Sequence, residues 1–123
     1  YKYELLMKSK AQNTRKAFRD LSFYVFKNKG IVETEIAGWE ILNGLLDSFI
    51  QAAKSPDFKA NGNNKESRLY NLISSSYRHI FENFNTYTGN DQYKRFQLVL
   101  DFISGMTDTY ALNLYQKLKG IKI

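Results

Sequence analysis

Apolar residues recur at helical spacing along most of the chain, and they are densest in its last third. From Phe96 to Lys119 they fall at Phe96, Val99, Leu100, Ile103, Met106, Tyr110, Ala111, Leu114 and Leu118, a single stripe down a helix. The stripe keeps phase through Gly105. A glycine costs a helix interior about 1 kcal/mol relative to alanine, so this one signals close packing of another backbone or a kink. Thr107 and Asp108 follow it and can cap a second helical segment.

The rest of the chain follows the same period. Residues 3–28 predict a first helix with Leu5, Leu6, Ala17, Phe18, Leu21, Val25 and Phe26 on its apolar side, stopped at Asn28-Lys29-Gly30. Ile31 and Val32 read as a short extended link, after which Thr34 is the expected N-cap of a second helix reaching Lys54. Gly38 and Gly44 interrupt that helix in phase and invite tight helix-to-helix contact. Residues 55–65 hold the single Pro and a run of Asn and Gly, and read as the most mobile connection. A third helical region spans 66–83, as one helix or as two split at Ser74-Ser75-Ser76, and Thr86 to Gln92 turn into the closing run. No strand alternation and no internal repeat appears. The expected fold is all-α, a bundle of four to five helices forming a single domain over residues 1–123.

With 43% hydrophobic residues, nine Phe and nine Tyr, the chain can fill a core and is not a disordered segment. The absence of Cys removes disulfides, thiolate metal sites and cysteine nucleophiles together, and is compatible with a cytoplasmic setting. No run approaches the roughly 18 uninterrupted apolar residues of a membrane span. The chain starts with Tyr rather than Met and reads as a piece of something longer. Its formal charge of +6 favours anionic partners, but the Lys and Arg are scattered along the sequence, as on a solvated basic surface.

Catalytic chemistry is hard to find. His79 is the single histidine and cannot alone build a metal centre of imidazoles and carboxylates; a structural role suits it better. Ser74, Ser75 and Ser76 lack a nucleophile elbow. Asp101 and Asp108 lie two helical turns apart, about 10 Å along an axis, which suits capping or ion pairing rather than chelation. No phosphate-cradling glycine loop, zinc finger or other nucleic-acid-binding signature is present. No catalytic and no metal-ligating residue is assigned.

One resemblance is dense. Asp101 to Leu112, DFISGMTDTYAL, matches a signature of the closing helix of bacterial deoxyguanosine triphosphate triphosphohydrolases (dGTPases), members of the HD phosphohydrolase superfamily. Two more stretches, EIAGWEILNGLLD (35–47) and ESRLYNLISSSYR (66–78), are similar to the enteric-type branch of that family. The resemblance implies a C-terminal fragment of a larger HD-type phosphohydrolase, the parent cutting dGTP to deoxyguanosine and tripolyphosphate with a divalent metal, Mg, Mn or similar, held in an HD domain outside this chain. It implies no cofactor on the fragment itself, which would be inactive alone. It also implies substrate-binding roles for Glu35 and Arg68, which fall where the family holds the guanine base. The chemistry is reasonable: a carboxylate accepts from the two neighbouring N–H donors of guanine, and a guanidinium stacks on the purine or donates to O6 and N7. The alternative for the pair is a first-turn acid favoured by the helix dipole and a surface arginine. Met106 and Tyr110 read as core. The implied partners are dGTP, the missing HD domain, further copies in a homo-oligomer and, as in some relatives, single-stranded DNA. A different class of reading is a stand-alone helical interaction or regulatory module, with or without nucleic-acid binding.

Overall fold

The computed structural model describes residues 4–59 and 61–121, and within them every regular element is helical. Six α-helices are present among the described residues: α1 (Gln12–Phe26), α2 (Lys29–Lys54), α3 (Lys65–Leu72), α4 (Ser75–Asn83), α5 (Asp91–Ser104) and α6 (Asp108–Leu118). Short 3-10 turns occur at Leu5–Lys8 and Pro56–Lys59. The all-α expectation holds, with six helices in place of four to five. Among the described residues no helix is long and apolar enough to cross a membrane.

The chain divides into two compact units, Tyr1–Gly38 and Trp39–Ile123. In the first unit, Arg15 pairs with Glu4 and so ties the opening 3-10 turn to α1. None of its described residues is buried. Phe18, at 69% exposed, and Phe26, at 60%, show how open its apolar side is.

Where α2 starts differs from expectation. Asn28 caps it: its side-chain oxygen accepts from the Gly30 N–H at 3.0 Å and its carbonyl from the Val32 N–H at 3.0 Å. Gly30, Ile31 and Val32 are therefore helical rather than a stop and a link. Thr34 is no cap; its hydroxyl donates to the Gly30 carbonyl at 2.9 Å, inside the helix.

The second unit holds the core. Leu45, Phe49, Ala52 and Ala53 of α2 meet Leu69 and Tyr70 of α3, Leu98, Val99, Phe102 and Ile103 of α5, and Ala111 and Leu114 of α6. Each large side chain fully removed from water contributes about 1.5–3 kcal/mol. Phe49 meets Phe102 edge to face at 5.6 Å, a favoured aromatic geometry.

The first part of the connection after α2, the turn Pro56–Lys59 with Ser55 before it, is anchored; residue 60 lies outside the described residues. Phe58 is fully buried against Tyr70, with ring centres 5.1 Å apart. The Ser67 hydroxyl donates to the Asp57 carbonyl at 2.8 Å, and Arg95 Nη1 donates to the Ser55 carbonyl at 2.8 Å while pairing with Asp91 at 2.9 Å. One apolar residue, Phe58, outweighs the turn-forming composition around it.

Two further breaks set the shape of this unit. Ile73 and Ser74 are extended, separating α3 from α4, and buried Ile73 pins the break. The closing run is bent at Gly105, after which Thr107 caps α6 by accepting from the Tyr110 N–H at 3.2 Å. The stripe of the last third is thus two helices. Val99, Ile103, Ala111 and Leu114 are buried and Met106 packs against the core, but Leu100 and Tyr110 are about half exposed. Tyr110 is therefore not a core residue: the bend at Gly105 rotates the second segment relative to the first.

Candidate substrate-recognition residues

Glu35 lies in the N-terminal part of α2, in the first unit. It is exposed, and its carboxylate has no hydrogen-bond or ion-pair partner among the described residues. It sits seven residues into the helix, so the expected alternative of a first-turn acid does not apply.

Arg68 lies on α3 in the second unit. The local sequence dictates its presentation. Asn64 caps α3 by accepting from the Ser67 N–H at 2.9 Å, and Ser67, Leu69 and Tyr70 turn inward. Arg68 is left exposed, with Nη2 donating weakly to Asn63 Oδ1 at 3.4 Å. Most of its five guanidinium donors remain available for an acceptor.

Other chemistry-bearing residues have plain structural roles. His79 is exposed on α4, with Nδ1 3.0 Å from the Asn83 amide nitrogen and its ring 5.7 Å from Phe84. It lines an open groove of about 510 Å³ with Ser75, Ser76, Arg78 and Glu82. Among the described residues no group of three or more His, Cys, Asp or Glu could hold a metal ion. The donor set of this chain does not fit the divalent metal that the resemblance implies for the parent. Among the described residues Asp101 neither caps nor pairs with a cation; it accepts from the Tyr87 hydroxyl at 2.7 Å. Asp108 occupies the first turn of α6, where the helix dipole favours a carboxylate.

Sequence pattern gave no sign of the two tyrosine–carboxylate contacts. Tyr70 donates to Glu82, joining α3 to α4, and Tyr87 donates to Asp101, joining the turn before α5 to that helix. Burial, then the hydrogen bond to a carboxylate and its negative charge, push both hydroxyls well above the ordinary tyrosine range; Arg78 opposes this at Tyr70. Both stay protonated donors, suited to holding helices together rather than to nucleophilic attack.

Comparison with known proteins matches residues 62–117 to the family described as phosphohydrolase-associated domain. The chain is 40% identical over 127 residues to a deoxyguanosinetriphosphate triphosphohydrolase-like protein of Listeria monocytogenes, covering 95% of this chain and 26% of the relative, in its C-terminal region. It is 29% identical over 116 residues to the deoxyguanosinetriphosphate triphosphohydrolase of Cronobacter sakazakii, covering 80% of this chain and 23% of that one. A deoxyguanosinetriphosphate triphosphohydrolase-like protein of Synechocystis is 30% identical over 99 residues, covering 80% of this chain and 20% of that one. The chain thus spans about a quarter of the length of the curated relatives it matches. No solved structure matches it.

Proposed function

Because this chain is similar to the C-terminal region of deoxyguanosinetriphosphate triphosphohydrolases and carries their phosphohydrolase-associated domain at residues 62–117, we propose that it is the C-terminal helical domain of such an enzyme. The parent hydrolyses dGTP to deoxyguanosine and tripolyphosphate, using a divalent metal held outside these residues. The domain packs against the catalytic part, contributes to the base pocket and supplies contacts between subunits. The observation that carries this reading is the similarity over 95% of the chain to one quarter of a longer relative.

Two features of the structure support the assigned roles. The open apolar side of α1, with Phe18 and Phe26 largely in water, suits a surface that a neighbour covers. The unpaired Glu35 carboxylate and the lightly held Arg68 guanidinium suit recognition of guanine, one accepting paired N–H donors and the other stacking or donating.

The test uses the parent protein and the isolated chain side by side. In the parent, Glu35→Gln and Arg68→Ala each lower the preference for dGTP over dATP by about tenfold to a hundredfold, the worth of one charged hydrogen-bonded contact, while the metal content is unchanged. Unaltered selectivity in both variants removes the base-recognition role. The isolated chain, mixed with dGTP and Mn, releases no tripolyphosphate; robust release overturns the supporting-domain reading.

A further inference from the structure

Between α2, α3 and α6 the second unit encloses a cavity of about 120 Å³, lined by Gly44 and Ser48, Lys65 and Leu69, and Tyr115, Leu118 and Lys119. Lys65 and Lys119 are the charged residues of its wall, which carries no acid. Neither ammonium has a carboxylate within ion-pair distance among the described residues.

The two lysines differ in how well their own helices account for them. Lys119 follows the last turn of α6, where a cation complements the helix dipole, and its Nζ lies 5.6 Å from the centre of the Tyr115 ring. Lys65 is the first residue of α3, where the dipole disfavours a cation. Both lysines are exposed, and their two positive charges line one space whose wall carries no acid. An anion between them answers both.

We propose that this cavity binds a single phosphate group, held by Lys65 and Lys119. Its volume holds several waters, and so a tetrahedral oxyanion with part of its hydration. An adjoining groove shares Ser48, Lys65 and Leu69 and adds Asp47, Gln51 and Glu66. Its two carboxylates repel further negative charge, which selects one phosphate over a polyphosphate or a nucleic-acid backbone.

The test follows backbone amide resonances of the full 123-residue chain during addition of inorganic phosphate at constant ionic strength. Saturable shifts centred on Gly44, Ser48, Lys65 and Lys119 are expected. Lys65→Gln and Lys119→Gln each weaken binding about tenfold, the loss of one charged hydrogen bond to the anion. Lys117→Gln, on the same helix as Lys119 but outside the cavity wall, leaves binding unchanged. Linear, unsaturating shifts, or equal weakening by Lys117→Gln, overturn the proposal in favour of diffuse ion attraction. Methyl phosphate in place of the free ion identifies the source: equal binding points to an esterified phosphate on a small molecule, and binding of inorganic phosphate alone to the free ion, either of which supports the site.

Discussion

The Tyr77 hydroxyl occupies the space that a Cβ on Gly105 would need. Gly105 is right-handed helical, so the backbone tolerates alanine there and the obstacle is steric. The Tyr77 ring is held edge to face against Phe102, 6.2 Å between centres, and gives way reluctantly. Gly105→Ala is expected to destabilise the fold by about 1–3 kcal/mol, read from the urea midpoint. In a Tyr77→Phe background, which removes the clashing oxygen, most of that cost should vanish; equal costs in both backgrounds would refute the contact.

The two glycines of α2 should answer oppositely to the same change. A Cβ at Gly44 collides with the Tyr115 ring of α6, whereas one at Gly38 meets nothing within 4 Å among the described residues. Gly44→Ala is expected to lower the melting temperature through overpacking. Gly38→Ala is expected to raise stability by up to about 1 kcal/mol from helix propensity alone. Thermal unfolding of the pair checks both.

Alkaline pH should unfold the protein through Tyr70 and Tyr87. An unfolded chain releases a tyrosine proton near pH 10, but the folded state holds those of Tyr70 and Tyr87 more tightly. Their contribution is complete below about pH 10 and is lost progressively above it, as the unfolded state binds fewer protons. Ultraviolet titration should show these two ionising after the exposed tyrosines. The double variant Tyr70→Phe, Tyr87→Phe should flatten the decline of stability above pH 10.

The cap of α6 supplies a fourth test. Thr107 satisfies a first-turn N–H that otherwise lacks a partner. Thr107→Ala should cost about 1 kcal/mol, and Thr107→Ser, which keeps the oxygen, a few tenths. Equal loss in both would show that packing of the threonine methyl, rather than capping, is what matters.

Helix content was legible in the sequence because the apolar period of α2, α5 and α6 is long and regular. Breaks were legible where a cap residue announced them, as at Thr107, and misread where two caps competed, as at Asn28 and Thr34. The anchoring of Pro56–Lys59 was hidden because it depends on Phe58 meeting Tyr70, a contact between segments that no local pattern encodes. Glu35 and Arg68 are singled out by family resemblance alone, since an exposed acid and an exposed arginine have no periodic signature. The cavity lysines were missed for the same reason: Lys65 and Lys119 are distant in sequence, and packing of α3 and α6 makes them neighbours of one space.

A unit none of whose described side chains is buried has no interior to slow its opening. Helices of about 15 residues are marginal in water on their own, so the α1 amides should trade hydrogen for deuterium early, while those of Leu45–Ala53 and Leu98–Ile103 wait for the whole core to come apart. Trypsin should find the same difference, nicking at Arg15, Lys16 and Arg19 before it touches the residues beyond Trp39. The chain thus carries two clocks, and the faster one belongs to its N-terminal helix.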